Sequence, residues 1–128
     1  MTIQECSKAF WLEGNDARSV YNGSAKIIIK PQIFRFIMGK KYLLVDDEFA
    51  YGVIEFLKKP SRLSPSDFND RREDHALTNI DKINRWRSGN KIVYAYDFNL
   101  VERFVKPKPF ECMVELTDFV DMSFIKML

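Results

Sequence analysis

The chain predicts an α+β domain whose strands form a small mixed or antiparallel β-barrel, with two or three short helices packed against it. Three observations carry this expectation. Short segments rich in Ile, Val, Tyr, Phe and Leu recur at 25–30, 41–45, 50–57, 92–98 and 100–105, separated by Pro31, Gly39 and the acidic run Asp46-Asp47-Glu48. Signals for short helices cluster between Pro60 and Asn90. A chain of 128 residues, 46% hydrophobic and 14% aromatic with 11 Phe, has the material for one domain with an ordinary core.

Taken in order, the first twenty-odd residues read as a strand or helix start bearing Phe10, Trp11 and Leu12. A short helix follows from Asp16 to Tyr21, closed by the helix-stop pair Asn22-Gly23. Strands follow at Ala25 to Lys30, Lys41 to Val45 and Ala50 to Leu57, with Asp46-Asp47-Glu48 expected as a solvent-exposed hairpin turn. Ser64 before Pro65 is an N-cap with proline at the first helical position, and Thr78 with Asp81 resembles a capping box. They predict helices near 65 to 73 and 79 to 87, ended by Ser88-Gly89-Asn90. Ile92, Tyr94, Tyr96 and Phe98 then alternate with Val93, Ala95 and Asp97 as a half-buried strand. A further strand, Leu100 to Val105, is expected to stop at Lys106-Pro107-Lys108-Pro109, because proline cannot donate to a ladder. Cys112 to Leu116 is strand-like. The apolar tail, from Phe119 to Leu128, requires a cover.

Composition excludes several functions. With 20 Lys and Arg against 18 Asp and Glu, the net charge of +2 gives no global attraction to polyanions. The apolar runs fall far short of the roughly twenty residues of a membrane span. Two separated cysteines and a start without signal-peptide features predict a reducing, cytoplasmic setting. The single histidine and these cysteines cannot make a closed four-ligand metal set, neither cysteine has an adjacent base, and the five glycines form no phosphate loop. No metal or cofactor is expected.

The candidate site residues lie mostly between Gly52 and Tyr96. His75, preceded by Asp74, reads either as a histidine hydrogen-bonded in an interhelical turn or as a cleft residue that stacks on or hydrogen-bonds a base. Trp86, between Arg85 and Arg87, is a helix-to-sheet anchor or a stacking platform. Tyr94 and Tyr96 share one strand face, as core or as an aromatic floor. Bases outnumber acids between 58 and 91. Together with Lys26, Lys30, Lys40 and Lys41, those near Trp86 form either a solvated face or one phosphate-facing wall.

The run Gly23-Ser24-Ala25-Lys26-Ile27-Ile28-Ile29-Lys30, the strand Tyr51-Gly52-Val53-Ile54, a helix with Phe68, then His75-Ala76-Leu77-Thr78, Trp86 and Tyr94-Ala95-Tyr96 resemble, in that order, the ASCH-type members of the PUA-like superfamily. The resemblance covers about residues 17 to 109 and leaves the tail 111–128 outside it. It implies a pseudo-barrel with a cleft beside inserted helices, and contact with RNA or modified nucleotides. An ASCH-type amidohydrolase would need a Lys, Thr and Glu set, whereas Lys26 is followed by isoleucines with no acid nearby.

The resulting expectation is a non-enzymatic domain that binds RNA or single strands through a basic cleft of Lys26, Lys30, His75, Arg85, Trp86, Tyr94 and Tyr96. The competing reading is a protein-interaction module, docking on a partner or a second copy through Phe119 to Leu128. A hydrolase acting on a modified nucleoside, with Lys26 as nucleophile or acid, is the third.

Overall fold

A computed structural model of the chain describes residues 2–34, 37–64, 66–67, 71 and 93–128. Eight strands and one α-helix are built from them, joined by two short 3-10 turns: β1 (Lys8–Trp11), α1 (Gly14–Tyr21), β2 (Ile27–Lys30), β3 (Lys41–Val45), β4 (Phe49–Phe56), β5 (Ser61–Leu63), β6 (Val93–Cys112), β7 (Phe119–Asp121) and β8 (Ile125–Met127). The strands run in the order β2-β6-β4-β3-β1-β7, with β5 and β8 also on β6. All pairings of named strands are antiparallel except β1 with β3, so the sheet is mixed, and it curls into a half-barrel.

The interior of the curl holds Phe10, Leu12, Val20, Tyr21, Ile28, Tyr42, Leu44, Tyr51, Ile54, Phe56 and Tyr96. The opposite face of β1, β3 and β4 presents Ala9, Leu43, Val45, Ala50 and Val53, packed with Cys6, Phe104 and Phe110. This two-sided burial explains why β3 and β4 read as nearly continuous apolar runs, since a strand covered on both faces loses its alternation.

The strands at 25–30, 41–45 and 50–57 form as read, within a residue or two at each end. So does the helix before Asn22, with Gly23 at φ +82° turning the chain out of it. The expected helix at 79–87, and most of that at 65–73, lie outside the described residues. At the start of the latter the Asp67 amide donates to Ser64 Oγ at 3.2 Å and the Ser64 amide to Asp67 Oδ2 at 3.4 Å, the reciprocal bonds of a helix cap.

Three expectations are corrected and one is met. The expected strands 92–98 and 100–105 are one strand, β6, and it does not stop at the prolines. Its pairing with β4 steps from Gly52↔Arg103 to Ala50↔Lys108, so Pro107 falls in a register shift where β4 offers no matching acceptor and the missing N–H leaves no gap. The carbonyls exposed by this bulge are met from α1, whose Tyr21 hydroxyl donates to Phe104 O at 2.7 Å, while Arg103 Nε donates to Tyr21 O at 2.8 Å. Second, β6 ends at Cys112 and residues 113–116 are not a strand, because the Met113 amide turns to Phe124 O and the chain then crosses to the edge of β1. The cover that the apolar tail requires comes in large part from the chain's own sheets, through β7 on β1 and β8 on β6.

Third, the acidic turn is only partly exposed. Asp46 is 5% exposed and accepts hydrogen bonds from the amides of Glu48 (2.8 Å) and Phe49 (2.7 Å) and from the Tyr51 hydroxyl. It builds the β3–β4 turn from within, and Asp47 and Glu48 alone of the three face solvent.

β4 and β6 press together at Gly52, where a Cβ would stand 2.1 Å from the Glu102 carbonyl oxygen. Backbone lies on both sides of that contact, so no rotamer change relieves it. Gly52→Ala is expected to destabilise the fold by about 3 kcal/mol or more, read as a fall in the urea midpoint.

Burial first, and then the bond to Asp46, pushes the Tyr51 phenol up to about 12. A phenol whose folded pKa lies above its unfolded value of about 10 contributes stability that is complete below pH 10 and lost as pH rises from 10 to 12. Urea unfolding should therefore weaken over that window, and Tyr51→Phe should flatten the fall by roughly 2 kcal/mol.

Candidate functional site

At one end of the half-barrel the interior is closed by rings instead of backbone. Phe10 meets Phe56 at 5.3 Å and Phe119 at 5.1 Å between centroids, Phe34 stands edge-on to Phe119 at 4.8 Å, and Tyr42 lies 5.3 Å from Phe119. Tilted and edge-to-face contacts at these distances are the favourable aromatic geometries. β1, β3 and β7 supply Phe10, Tyr42 and Phe119, whereas Phe34 comes from the loop after β2. Tyr96 holds that loop, its hydroxyl donating to Gln32 O at 2.6 Å and accepting from the Phe34 amide at 2.8 Å. Burial raises the Tyr96 pKa, keeping the phenol protonated for this role.

Outside the rings lies a cleft of about 330 Å³ lined by Ser7, Lys8, Ile33, Phe34, Ile37, Lys40, Tyr42 and Phe119. Phe34 and Phe119 are partly exposed, Ile33 is 51% exposed, and Lys8 and Lys40 are exposed. Among the described residues neither lysine has a carboxylate within ion-pair distance, whereas Lys41 is taken by Glu5 at 2.8 Å. Asp121 stands across the β1–β7 ladder from Lys8; the Ser123 amide, more than Lys8, holds its carboxyl below the usual range.

The expected site residues separate into groups. Lys30 is 8% exposed. Its ammonium lies 2.8 Å from Asp118 Oδ1 and 3.5 Å from Trp11 O, with the Phe10 and Trp11 rings 5.4 and 5.5 Å away. Instead of forming a phosphate-facing wall, it ties β2 to β1 and to the residue before Phe119. Tyr96 is fully buried and positions Phe34, so it supports the cleft without flooring it. Tyr94 is half-buried against the aromatic interior, opposite Lys30 in the β2–β6 ladder. Lys26 is exposed just before β2, four residues and thus about 13 Å of strand from Lys30. His75, Arg85 and Trp86 lie outside the described residues.

Lys40 was legible as part of a basic run, but Lys8, Phe34, Tyr42 and Phe119 were not. They converge only through the parallel β1–β3 pair and the return of the tail onto β1, pairings that no local pattern announces.

Burial, aided by Glu5, pushes the Cys6 thiol up to about 11, which keeps it un-ionised at neutral pH. Among the described residues no group of three His, Cys, Asp or Glu side chains gathers to hold a metal ion, and no helix is long and apolar enough to cross a membrane.

The Lys30–Asp118 pair gives an asymmetric expectation. Asp118→Asn removes the carboxylate from a buried ammonium and should cost about 3 kcal/mol. Lys30→Met leaves Asp118, 31% exposed, able to hydrate, and should cost markedly less. Paired urea titrations check the order.

No family model matches the sequence, and no curated protein matches it significantly. The fold is similar to the crystal structure of ASCH from Zymomonas mobilis, with a TM-score of 0.58 at 11% identity over 80% of this chain and 71% of that one. Two single-substitution variants of that protein match alike. A serine-to-alanine variant gives TM-score 0.58, 11% identity and 82% and 73% coverage; a tyrosine-to-phenylalanine variant gives 0.57, 11%, and 80% and 73%.

Proposed function

Starting from an ASCH-type, PUA-like fold, we propose that the chain is a non-enzymatic nucleic-acid-binding domain that takes RNA or single strands in the Lys8–Lys40 cleft. The observation that carries this reading is the pairing of half-exposed rings, Phe34 and Phe119, with two exposed lysines on one concave surface. Rings offer a face on which any base can stack, and ammonium groups beside them meet the phosphates, the combination that single-strand binders use. Loop residue Phe34 is the principal stacking ring. Tyr96 and Lys30 hold the cleft in shape from behind, and Tyr94 packs beneath it. Lys26, His75, Arg85 and Trp86 belong to the proposed surface on charge and ring type alone.

The resemblance read from the sequence implies the same contact with RNA, and the fold agrees with that resemblance. A homodimer through Phe119 to Leu128 is less supported, because β7 and β8 use that segment inside the chain.

Fluorescence anisotropy with short labelled single-stranded RNA, at several salt concentrations, tests the proposal. Binding should weaken with salt, and Lys8→Glu with Lys40→Glu should flatten the log–log slope by about 1.4, at about 0.7 per phosphate contact. Phe34→Ala should lose affinity by about 1 to 3 kcal/mol with the salt slope unchanged. Absence of binding at low salt, or binding indifferent to all three changes, would refute it.

A further inference from the structure

At the opposite end of the filled interior, the last turn of α1, the start of β4 and the proline bulge of β6 border a second, open hollow of about 500 Å³. Its walls are Tyr21, Phe49, Tyr51 and Pro107, and its polar groups are Arg18, Asn22 and Lys106. That size and lining, apolar with a few polar groups, are those of a small-molecule site.

We propose that this hollow binds a small aryl phosphate, its flat body against Tyr21, Phe49 and Tyr51 and its phosphate between Arg18 and Lys106. The site is separate from the nucleic-acid cleft and does not rest on it.

Arg18 is the reason to expect an anion. The guanidinium is oriented by a neutral group, donating to Asn15 Oδ1 at 2.6 Å. Among the described residues it has no carboxylate within ion-pair distance; Asp46 Oδ2 is near, on the Gly14 side, where a Cβ on Gly14 would stand 3.1 Å from Arg18 Nη1 and 3.5 Å from Asp46 Oδ2, and the Arg18 side chain is exposed. A charged fork already held in place and in no direct ion pair can take a partner brought from solution on its open side. Lys106 lines a different wall, on the β6 bulge, so two cations from separate elements border one hollow.

The acidic residues nearby accept hydrogen bonds from neutral donors or lie to one side of the hollow. Asp46 is buried under three hydrogen bonds, and Asp47 accepts from Trp11 Nε1 at 2.9 Å. Glu48 lies with them in an adjoining groove of about 190 Å³ that shares Arg18 and Phe49 with the hollow but not Lys106. The Tyr51 phenol stays protonated to about 12, so the apolar wall carries no charge of its own. A carboxylate needs only one cation, whereas a phosphate near neutral pH approaches two negative charges and matches both.

A ¹⁵N NMR titration with phenyl phosphate at pH 7.5 tests this, with benzoate, phenol and inorganic phosphate as separate arms. Phenyl phosphate should shift the amides of Arg18, Asn22, Phe49 and Tyr51 and bind roughly tenfold more tightly than each other probe, since it alone supplies both ring and dianion. Arg18→Gln and Lys106→Gln should each weaken it roughly tenfold. Both side chains are exposed, and an unchanged amide spectrum elsewhere would show the variants folded. Equal binding of benzoate, equal binding of inorganic phosphate, shifts confined to the Lys8–Lys40 cleft, or affinity indifferent to both substitutions would each overturn the proposal.

Discussion

Everything in this fold depends on the backbone contact of β4 with β6 at Gly52. A strand of 20 residues would run about 65 Å if straight, several times the radius of gyration of about 14 Å expected for a domain of this length. β6 must therefore bend, and it does so where its register against β4 shifts on either side of Gly52. The bend lets one strand pair with β2 and β5 at its start, β4 along its middle and β8 at its end. Because Glu102 O occupies the place of a Cβ at residue 52, the two backbones close without a spacer, and the excess residues of β6 are thrown out as the 104–107 bulge. Tyr21 and Arg103 then fasten this bulge to α1.

The same economy governs charge. The net of +2 conceals a division of labour among the lysines. Lys30, Lys41 and Lys58 are engaged with Asp118, Glu5 and Asp97, and the first of these pairs is drawn inside the fold. A buried ammonium is costly unless paired, so Lys30 fixes where Asp118 must be, and with it the adjacent ring of Phe119. The cation that looks best suited to a ligand by sequence thus shapes the cleft from behind, while Lys8 and Lys40 present charge to it.

What could be read from the chain was whatever is encoded locally. The strands at 25–30, 41–45 and 50–57 carry their own apolar runs, Asn22-Gly23 ends its helix by backbone geometry, and Ser64 caps through its own side chain. Each signal acts within a few residues. The continuity of β6 was hidden because Pro107 is a stop signal only where a ladder bond is required, and whether one is required depends on the partner strand. Asp46 looked exposed because charge predicts solvent, yet three donors converge on it, one of them Tyr51 from the next strand. The cleft was least legible, since its lining is gathered from four separated segments. The ASCH resemblance supplied the architecture that local signals could not, and the fold agrees with it.

The interior being filled has a consequence for recognition. Phe10, Tyr42, Phe56 and Tyr96 occupy the centre of the half-barrel, so among the described residues the hollow at each end is open to solvent and does not reach into the core. A base at the Phe34 end would be met on one face by rings and at its edge by few polar side chains, Ser7 among them. Discrimination between bases requires donors and acceptors aimed at their edges, whereas stacking and phosphate contact are indifferent to identity. Binding there would accordingly tolerate many sequences, with selectivity for unpaired over paired strands, because only an unstacked base can lie flat against Phe34. At the α1 end the balance is different. Arg18 is oriented before any ligand arrives, so that site would choose by the charge and shape of the head group, and the ring beneath it would add affinity with little discrimination.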